Sequence, residues 1–418
     1  MLTTSAVDGS AAVLTVDPRL QSYIEKIWLP DGPVGSPVAV SIGEPPPGHV
    51  VAEQYAVLPH PQLARFLVPL ASRDVAAASF REYNATRARV SRIVRGSLAA
   101  AFSSGLGVPR NSRLVVSVDS RVPRARWYDH LVIAQLASRL DLPELHTFVA
   151  VRQVNPNVKP TLQLFDRAAQ PVGYAKLGTT EATRNLVRTE AATLASLSGS
   201  LSSVIVPGLV DAGDWGDTAF TVTSPLPRDL RRWTRGLLET AHTINAIATT
   251  GQRSHGPLAT SSYAARLRSD IDIASASSEV AAALGQWLMR LQADVSPLSF
   301  GRMHGDWIPD NLGHSDSRLV AWDWEHSHHD VPLGFDLLHW RFHHALVKHG
   351  MAAAVAAVEA ALPELALVNV PAGSHKLTGS LYLLDVFVRR MKLATGGGGY
   401  NARWYPAMLD IARGRDLP

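Results

Sequence analysis

Two proline-marked changes of periodicity govern what this chain can fold into. Between Pro143 and Pro227 the sequence carries short β-prone runs at residues 148–152, 161–165 and 172–177. They are set apart by the turn formers Asn155-Pro156-Asn157 and by residues 166–173, DRAAQPVG. A helical pattern follows over 181–197, with Ala182, Leu186, Ala191, Leu194 and Leu197 at its apolar positions. Two more β-prone runs occupy 204–210 and 219–223. Beyond Pro227 the apolar spacing is mostly helical, apart from a stretch at 302–323. Pro225 and Pro227 break any regular element, so residues 224–227 read as a linker. The pattern predicts an α+β chain: a small β-rich unit over 146–227 and a larger helical unit over 228–418.

Residues 1–145 read as a separate unit with mixed α/β signals. Residues 43–49 (GEPPPGH) form a turn-rich punctuation, and 50–58 then reads as a strand. A helical pattern over 81–102 sets apolar positions beside Arg87, Arg89, Arg92 and Arg95. That face reads either as a solvated helix side or as an anion or partner surface. Another helix is predicted over 127–140. The full length of 418 residues suits two or three domains of about 100–200 residues each.

Composition excludes several chemistries. With no cysteine, the chain has no disulfides, zinc-thiolate sites, iron–sulfur clusters or thiol nucleophiles. The net charge of +4, from 40 basic and 36 acidic residues, is too small for nucleic-acid binding by counterion release to be expected. The first twenty residues show no basic segment followed by an apolar one, so no secretory signal is expected. The longest apolar tract, 351–370, is interrupted by Glu359, Pro363 and Glu364 and reads as a core helix rather than a membrane span. A soluble cytoplasmic protein with no nucleic-acid or membrane partner is the expectation.

The chemistry concentrates in residues 303–340, MHGDWIPDNLGHSDSRLVAWDWEHSHHDVPLGFDLLHW. Asp306 and Asn311 lie five residues apart on a turn closed by Gly305 and Pro309. Asp323 ends the apolar run 319–322, twelve residues after Asn311. A strand–loop–strand path brings the Asn311 oxygen and the Asp323 carboxylate together as hard ligands suited to Mg²⁺. Asp306 is then left to accept a proton from a hydroxyl nucleophile.

At these residues the chain resembles the aminoglycoside phosphotransferase and choline kinase-like family, small-molecule relatives of the protein kinases. His304-Gly305-Asp306 with Asn311 is similar to that family's HGDxxxxN catalytic loop. Trp322-Asp323-Trp324-Glu325 resembles its I-D-[FW]-E element, and residues 332–337 (PLGFDL) its P-x-x-x-D-L element, whose aspartate, here Asp336, is structural. The resemblance implies a bilobal protein-kinase-like fold. It also implies ATP or GTP as phosphoryl donor, Mg²⁺ as cofactor and a small hydroxylated acceptor.

It further implies a lysine on the third strand that holds the nucleotide phosphates, paired with a glutamate on the next helix. Lys176 and Glu190 fill those places; Glu181 is a rival, but an acid at a helix start is explained by the macrodipole alone. The Ser224 carbonyl and the Leu226 N–H would hold the adenine if Thr223 is the gatekeeper. Asp306 is the implied catalytic base, and Asn311 and Asp323 the implied Mg²⁺ ligands. Residues 1–145 are analogous to an N-terminal cap found in some sugar-directed relatives.

The departures matter as well. No GxGxxG lies between Phe148 and Lys176; residues 154–159 read VNPNVK. That argues against a protein-serine/threonine kinase, as do HGD in place of HRD and the lack of an APE-like segment. A nucleotide-binding pseudokinase would not need Lys176, Asp306, Asn311 and Asp323 together. Nine of sixteen histidines lie between His304 and His349, and His339 and His343 have a spacing that can bind zinc. The kinase-like motif already accounts for this region, and no HExxH accompanies it. His304 reads as a brace for the catalytic loop. Trp307, Trp324, Glu325 and His326 are the candidate acceptor contacts, with Trp307 suited to stack on a sugar ring. Acids are sparse after Asp336, so a sugar or glycosylated metabolite is the expected acceptor and a polycationic aminoglycoside the alternative.

Overall fold

The computed structural model describes residues 16–82, 89–105, 108–153, 157–199, 201–274, 279–396 and 404–414. Its first elements in chain order are α1 (Pro18–Trp28), β1 (Val38–Ile42), β2 (His49–Leu58), β3 (Phe66–Pro69), α2 (Arg73–Glu82), α3 (Arg89–Ser103), β4 (Arg113–Asp119) and α4 (Val132–Arg139). Then come β5 (Leu145–Ala150), β6 (Thr161–Asp166), β7 (Pro171–Gly178), α5 (Glu181–Leu197), β8 (Val204–Ile205), β9 (Leu209–Trp215) and β10 (Thr218–Thr223). Two compact units divide the chain, one of residues 1–188 and 208–230, the other of 189–207 and 231–418.

The first unit is built on one nine-stranded antiparallel sheet in the order β1-β4-β2-β3-β5-β6-β7-β10-β9. The expected boundary at 145/146 therefore falls inside a sheet and not between two units. Phe66 and Leu67 of β3 pair with Ala150 and Val149 of β5, and the Val151 N–H donates to the Arg65 carbonyl at 2.9 Å. One apolar core runs beneath both parts, from Ile24, Trp28 and Tyr55 through Leu114 and Leu136 to Leu162, Leu177 and Phe220. The opposite face is filled by rings of Phe66, Phe80, Phe102, Phe148 and Phe165. A domain boundary needs few crossing contacts, and this one has a shared core.

Most local predictions match the described elements. The helix expected at 181–197 is α5, and the strands expected at 161–165, 172–177 and 219–223 are β6, β7 and β10. The run at 204–210 is two strands, because Pro207 interrupts it: β8 joins the second unit while β9 closes the first sheet. The helix expected at 127–140 is a 3₁₀ turn (Arg124–Asp129) followed by the shorter α4. Residues 81–102 hold the end of α2 and nearly all of α3. Arg87 and the side chains of Arg89, Arg92 and Arg95 lie outside the described residues, as does the turn at Val154, Asn155 and Pro156.

The second unit continues with β11 (Arg231–Arg232), α6 (Ala241–Ala248), β12 (Ser254–Pro257), α7 (Ser262–Ala274), α8 (Glu279–Gln292), β13 (Pro297–Met303), β14 (Leu312–Ser315), β15 (Arg318–Ala321) and β16 (His328–Pro332). Helices α9 (Phe335–His349), α10 (Met351–Ala361), α11 (His375–Thr395) and α12 (Tyr405–Gly414) complete it. The apolar tract 351–370 is α10 followed by a 3₁₀ segment, Leu362–Val368, that begins where Pro363 stops the helix. By length and apolarity Met351–Val368 could cross a membrane; 39% of it is buried against the rest of the protein. Two small sheets, β11-β14-β15-β8 and β12-β13-β16, lie among these helices and carry the loop of interest between β13 and β14.

Candidate active site

The β14–β15 hairpin explains how Asn311 and Asp323 come to neighbouring positions. Asp316 and Ser317 take positive φ (45° and 66°), as a two-residue turn matched to strand twist requires. Leu312 then pairs with Ala321, and the Trp322 N–H donates to the Asn311 carbonyl at 3.2 Å. Asn311 precedes one strand and Asp323 follows the other, so the hairpin register sets them side by side.

The loop between β13 and β14 is pinned from several directions. The Asp336 carboxylate accepts the backbone N–H of His304 and that of Gly305, each at 2.8 Å. Burial pushes Asp336 up to about 6, against the pull of those two N–H groups. Gly305 has φ +86°, and a Cβ there would meet the His326 carbonyl oxygen at 2.1 Å, so only glycine fits. Its own carbonyl accepts from Arg389 Nη1 at 2.6 Å. His304 is fully buried. It accepts the Asp306 N–H at Nδ1 (3.3 Å), so its Nε2–H donates to the Trp322 carbonyl (3.1 Å). Burial pushes it down to about 4 and keeps it neutral. The expected loop-bracing role of His304 has this geometry.

Asp306 sits at the centre. Asn311 Nδ2–H donates to its Oδ2 at 2.7 Å and to its backbone carbonyl at 3.0 Å. His339 Nε2 lies 3.0 Å from its Oδ1. Burial is the largest influence on the Asp306 carboxyl and would raise it, but the hydrogen bond from His339 and the surrounding imidazoles of His339, His326 and His304 together hold the group well below the usual carboxylate range. The amide nitrogen of Asn311 is committed to Asp306, which leaves its Oδ1 as the atom that could meet a cation.

Glu190, Asp323 and Glu325 place carboxylate oxygens within 4.8 Å of one another. Three carboxylates this close fit a hard divalent cation, and the donor set is oxygen only. Sequence spacing points to Asp323 here, while the resemblance pairs Glu190 with Lys176, and Glu325 is an expected acceptor contact. The structure also brings both carboxylates beside Asp323. Lys176 lies on β7, the third strand counted from β5, paired in register with Thr161 and Thr221. It belongs to the first unit, as do Ser224 and Leu226; Glu190 belongs to the second. The Ser224 N–H and hydroxyl both engage Gly208 (2.8 and 2.9 Å), which leaves the carbonyl assigned to adenine outside that contact.

Two acceptor assignments are corrected. Trp307 and Trp324 are both fully buried, so neither ring can stack on an acceptor. Trp307 Nε1–H donates to Thr240 Oγ1 at 3.1 Å and its ring meets His304 edge-on. Trp324 packs on His304 with ring centroids 4.4 Å apart and donates to the Ala321 carbonyl. Both tryptophans wall in the loop histidine. His326 keeps partial exposure and lies 3.7 Å from Glu325. Of the zinc-like pair, His339 has both nitrogens engaged, one by Asp306 and one by Tyr382.

No known family profile matches the chain, and no curated protein does. Solved structures with similar folds include a thermostable mutant of an aminoglycoside phosphotransferase in ternary complex with ADP and hygromycin B (14% identity over 68% of this chain and 96% of that one, TM-score 0.40). A glucosamine kinase in complex with glucosamine, ADP and inorganic phosphate aligns over 97% of this chain and 96% of its own, at 16% identity and TM-score 0.33. An amicoumacin kinase in complex with AMP-PNP and Ca²⁺ aligns at 13% identity and TM-score 0.38, covering 64% and 87%. These likenesses are distant, and what the site can do is read from its own side chains.

Proposed function

We propose that this protein is a small-molecule kinase that transfers the γ-phosphate of ATP to a hydroxyl of a small acceptor, a sugar or glycosylated metabolite. The observation that carries the reading is the Asp306 carboxylate, held ionised and oriented by Asn311 on one oxygen and His339 on the other. A carboxylate has about four lone-pair sites, and two are occupied. The others can accept the acceptor hydroxyl, aligning its oxygen for attack and taking its proton. Glu190, Asp323 and Glu325, with Asn311 Oδ1, are the groups that would hold a divalent cation, Mg²⁺ by the resemblance. When bound, such a cation would neutralise charge on the β- and γ-phosphates. Lys176 is assigned the nucleotide phosphates, and Ser224 and Leu226 the adenine.

Ion pairing of acids in the second unit favours a neutral or anionic acceptor over a polycation. Asp270 is tied to Lys392 at 2.7 Å, and Asp385 to the Tyr263 hydroxyl at 3.4 Å and Arg266 at 3.8 Å. Asp310, exposed on the loop that follows Asp306, is likewise tied to Arg232 at 3.2 Å. A cytoplasmic location would supply the ATP. Coupled ADP release against a panel of sugars, aminoglycosides and other hydroxylated metabolites tests the reading. Turnover with sugars that is lost in Asp306→Ala supports it; turnover with kanamycin-type compounds alone overturns the acceptor class.

A further inference from the structure

We infer that His339 is the positioning residue of the Asp306 carboxylate and that Tyr382 selects the tautomer His339 needs, an inference that rests on the phosphotransfer reading above. An aspartate χ2 torsion is broad and roughly two-fold, so a single donor leaves the carboxylate plane free to swing. Here each oxygen has its own donor: Asn311 Nδ2 on Oδ2 at 2.7 Å and His339 Nε2 on Oδ1 at 3.0 Å. Two donors on different oxygens fix the plane. An ionised carboxylate can only accept, so Nε2 carries the proton and Nδ1 is the acceptor. Tyr382 OH supplies the matching donor at 3.0 Å, and burial raises that hydroxyl well above its usual value, so it keeps its proton. Burial also pushes His339 down, leaving a neutral ring between the two.

The fold delivers this chain of contacts from three separate segments. Asp336 and His339 lie three residues apart in α9, on one helix face. The first clasps the backbone at His304 and Gly305, the second the side chain of Asp306. Tyr382 and Arg389 lie seven apart in α11; one reaches His339 and the other the Gly305 carbonyl. A buried histidine with a purely structural role could satisfy both nitrogens on backbone groups. This one meets the reacting carboxylate. His339 keeps its proton during transfer, and the proton leaving the acceptor hydroxyl goes to Asp306.

The test is ADP release from Mg-ATP with water as the sole acceptor, comparing wild type, His339→Leu, His339→Gln and Tyr382→Phe, with melting temperatures recorded. His339→Leu should lower kcat by about 100-fold with KM for ATP within about twofold. His339→Gln places an amide N–H near the Nε2 position and should recover to within about tenfold of wild type. Tyr382→Phe should fall between the two. Unchanged turnover in His339→Leu overturns the inference, and so does His339→Gln as inactive as His339→Leu. If the leucine variant does not fold, ring ¹⁵N shifts of wild-type His339, assigned by loss in His339→Gln, decide. A neutral Nε2–H ring agrees; an Nδ1–H ring or an imidazolium overturns it. Where water alone gives no ADP, the same variants are compared with the best acceptor of the panel. A wild type that makes no ADP above background with water or with any panel acceptor overturns the phosphotransfer reading and the catalytic part of this inference with it, a result distinct from active wild type with an equally active leucine variant.

Discussion

Asp336 and Gly305 are 31 residues apart in sequence, yet the Asp336 carboxylate accepts the Gly305 N–H at 2.8 Å on one oxygen and the neighbouring His304 N–H on the other. Asparagine keeps the shape but turns one acceptor into a donor that faces an N–H. Asp336→Asn is expected to lower stability by about 1–3 kcal/mol and to reduce turnover, because the catalytic loop loses one of its two anchors. Denaturant midpoints and ADP release on the same preparations check both.

The buried His304 predicts an acid limit to stability. Its folded-state value is pushed down to about 4 from 6.5 by burial. Below pH 6.5 the unfolded chain takes up a proton that the folded chain refuses, so this contribution is present above 6.5 and is lost as pH falls toward 4. The loss is on the order of 3 kcal/mol. Between pH 7.5 and about 4.5 the urea midpoint of wild type should fall relative to that of His304→Gln, since Asp336 and other groups titrate alike in both proteins.

Trp324 gives a test that separates packing from acceptor binding. The ring is fully buried against His304, so Trp324→Ala should cost about 3–5 kcal/mol in stability. In whatever fraction still folds, KM for the acceptor should stay close to wild type. A raised acceptor KM with unchanged melting would instead return the ring to the acceptor.

The Glu190–Asp323–Glu325 cluster predicts how turnover depends on the divalent ion. Removing one carboxylate with Glu325→Gln should raise the Mg²⁺ concentration for half-maximal ADP release by about 10–100-fold, with maximal turnover partly recovered at high Mg²⁺. A Mg²⁺ titration of both proteins reads this directly.

Residue spacing makes part of the site legible in the sequence. Asp306, Asn311 and Asp323 stand at fixed intervals around a hairpin, and the hairpin register converts those intervals into proximity. Burial is not legible in the same way: the sequence around Trp307 and Trp324 does not say which side of the loop a ring faces, and both rings face His304. His339 and Tyr382 reach Asp306 from two other helices, α9 and α11, and no local pattern records that convergence. Residues 1–145 read as a unit of their own for a similar reason. The strand pairing that joins them to β5 rests on Phe66 and Leu67, a long-range contact invisible to periodicity.

Asp306, held between Asn311 and His339, is the group proposed to orient the acceptor and take its proton. Steady-state ADP release by Asp306→Asn, at saturating Mg-ATP and with the best acceptor from the panel, tests this role most directly. A fall in kcat of about 10²–10⁴-fold is expected, with KM for ATP within about twofold of wild type. Turnover close to wild type in that variant would contradict it.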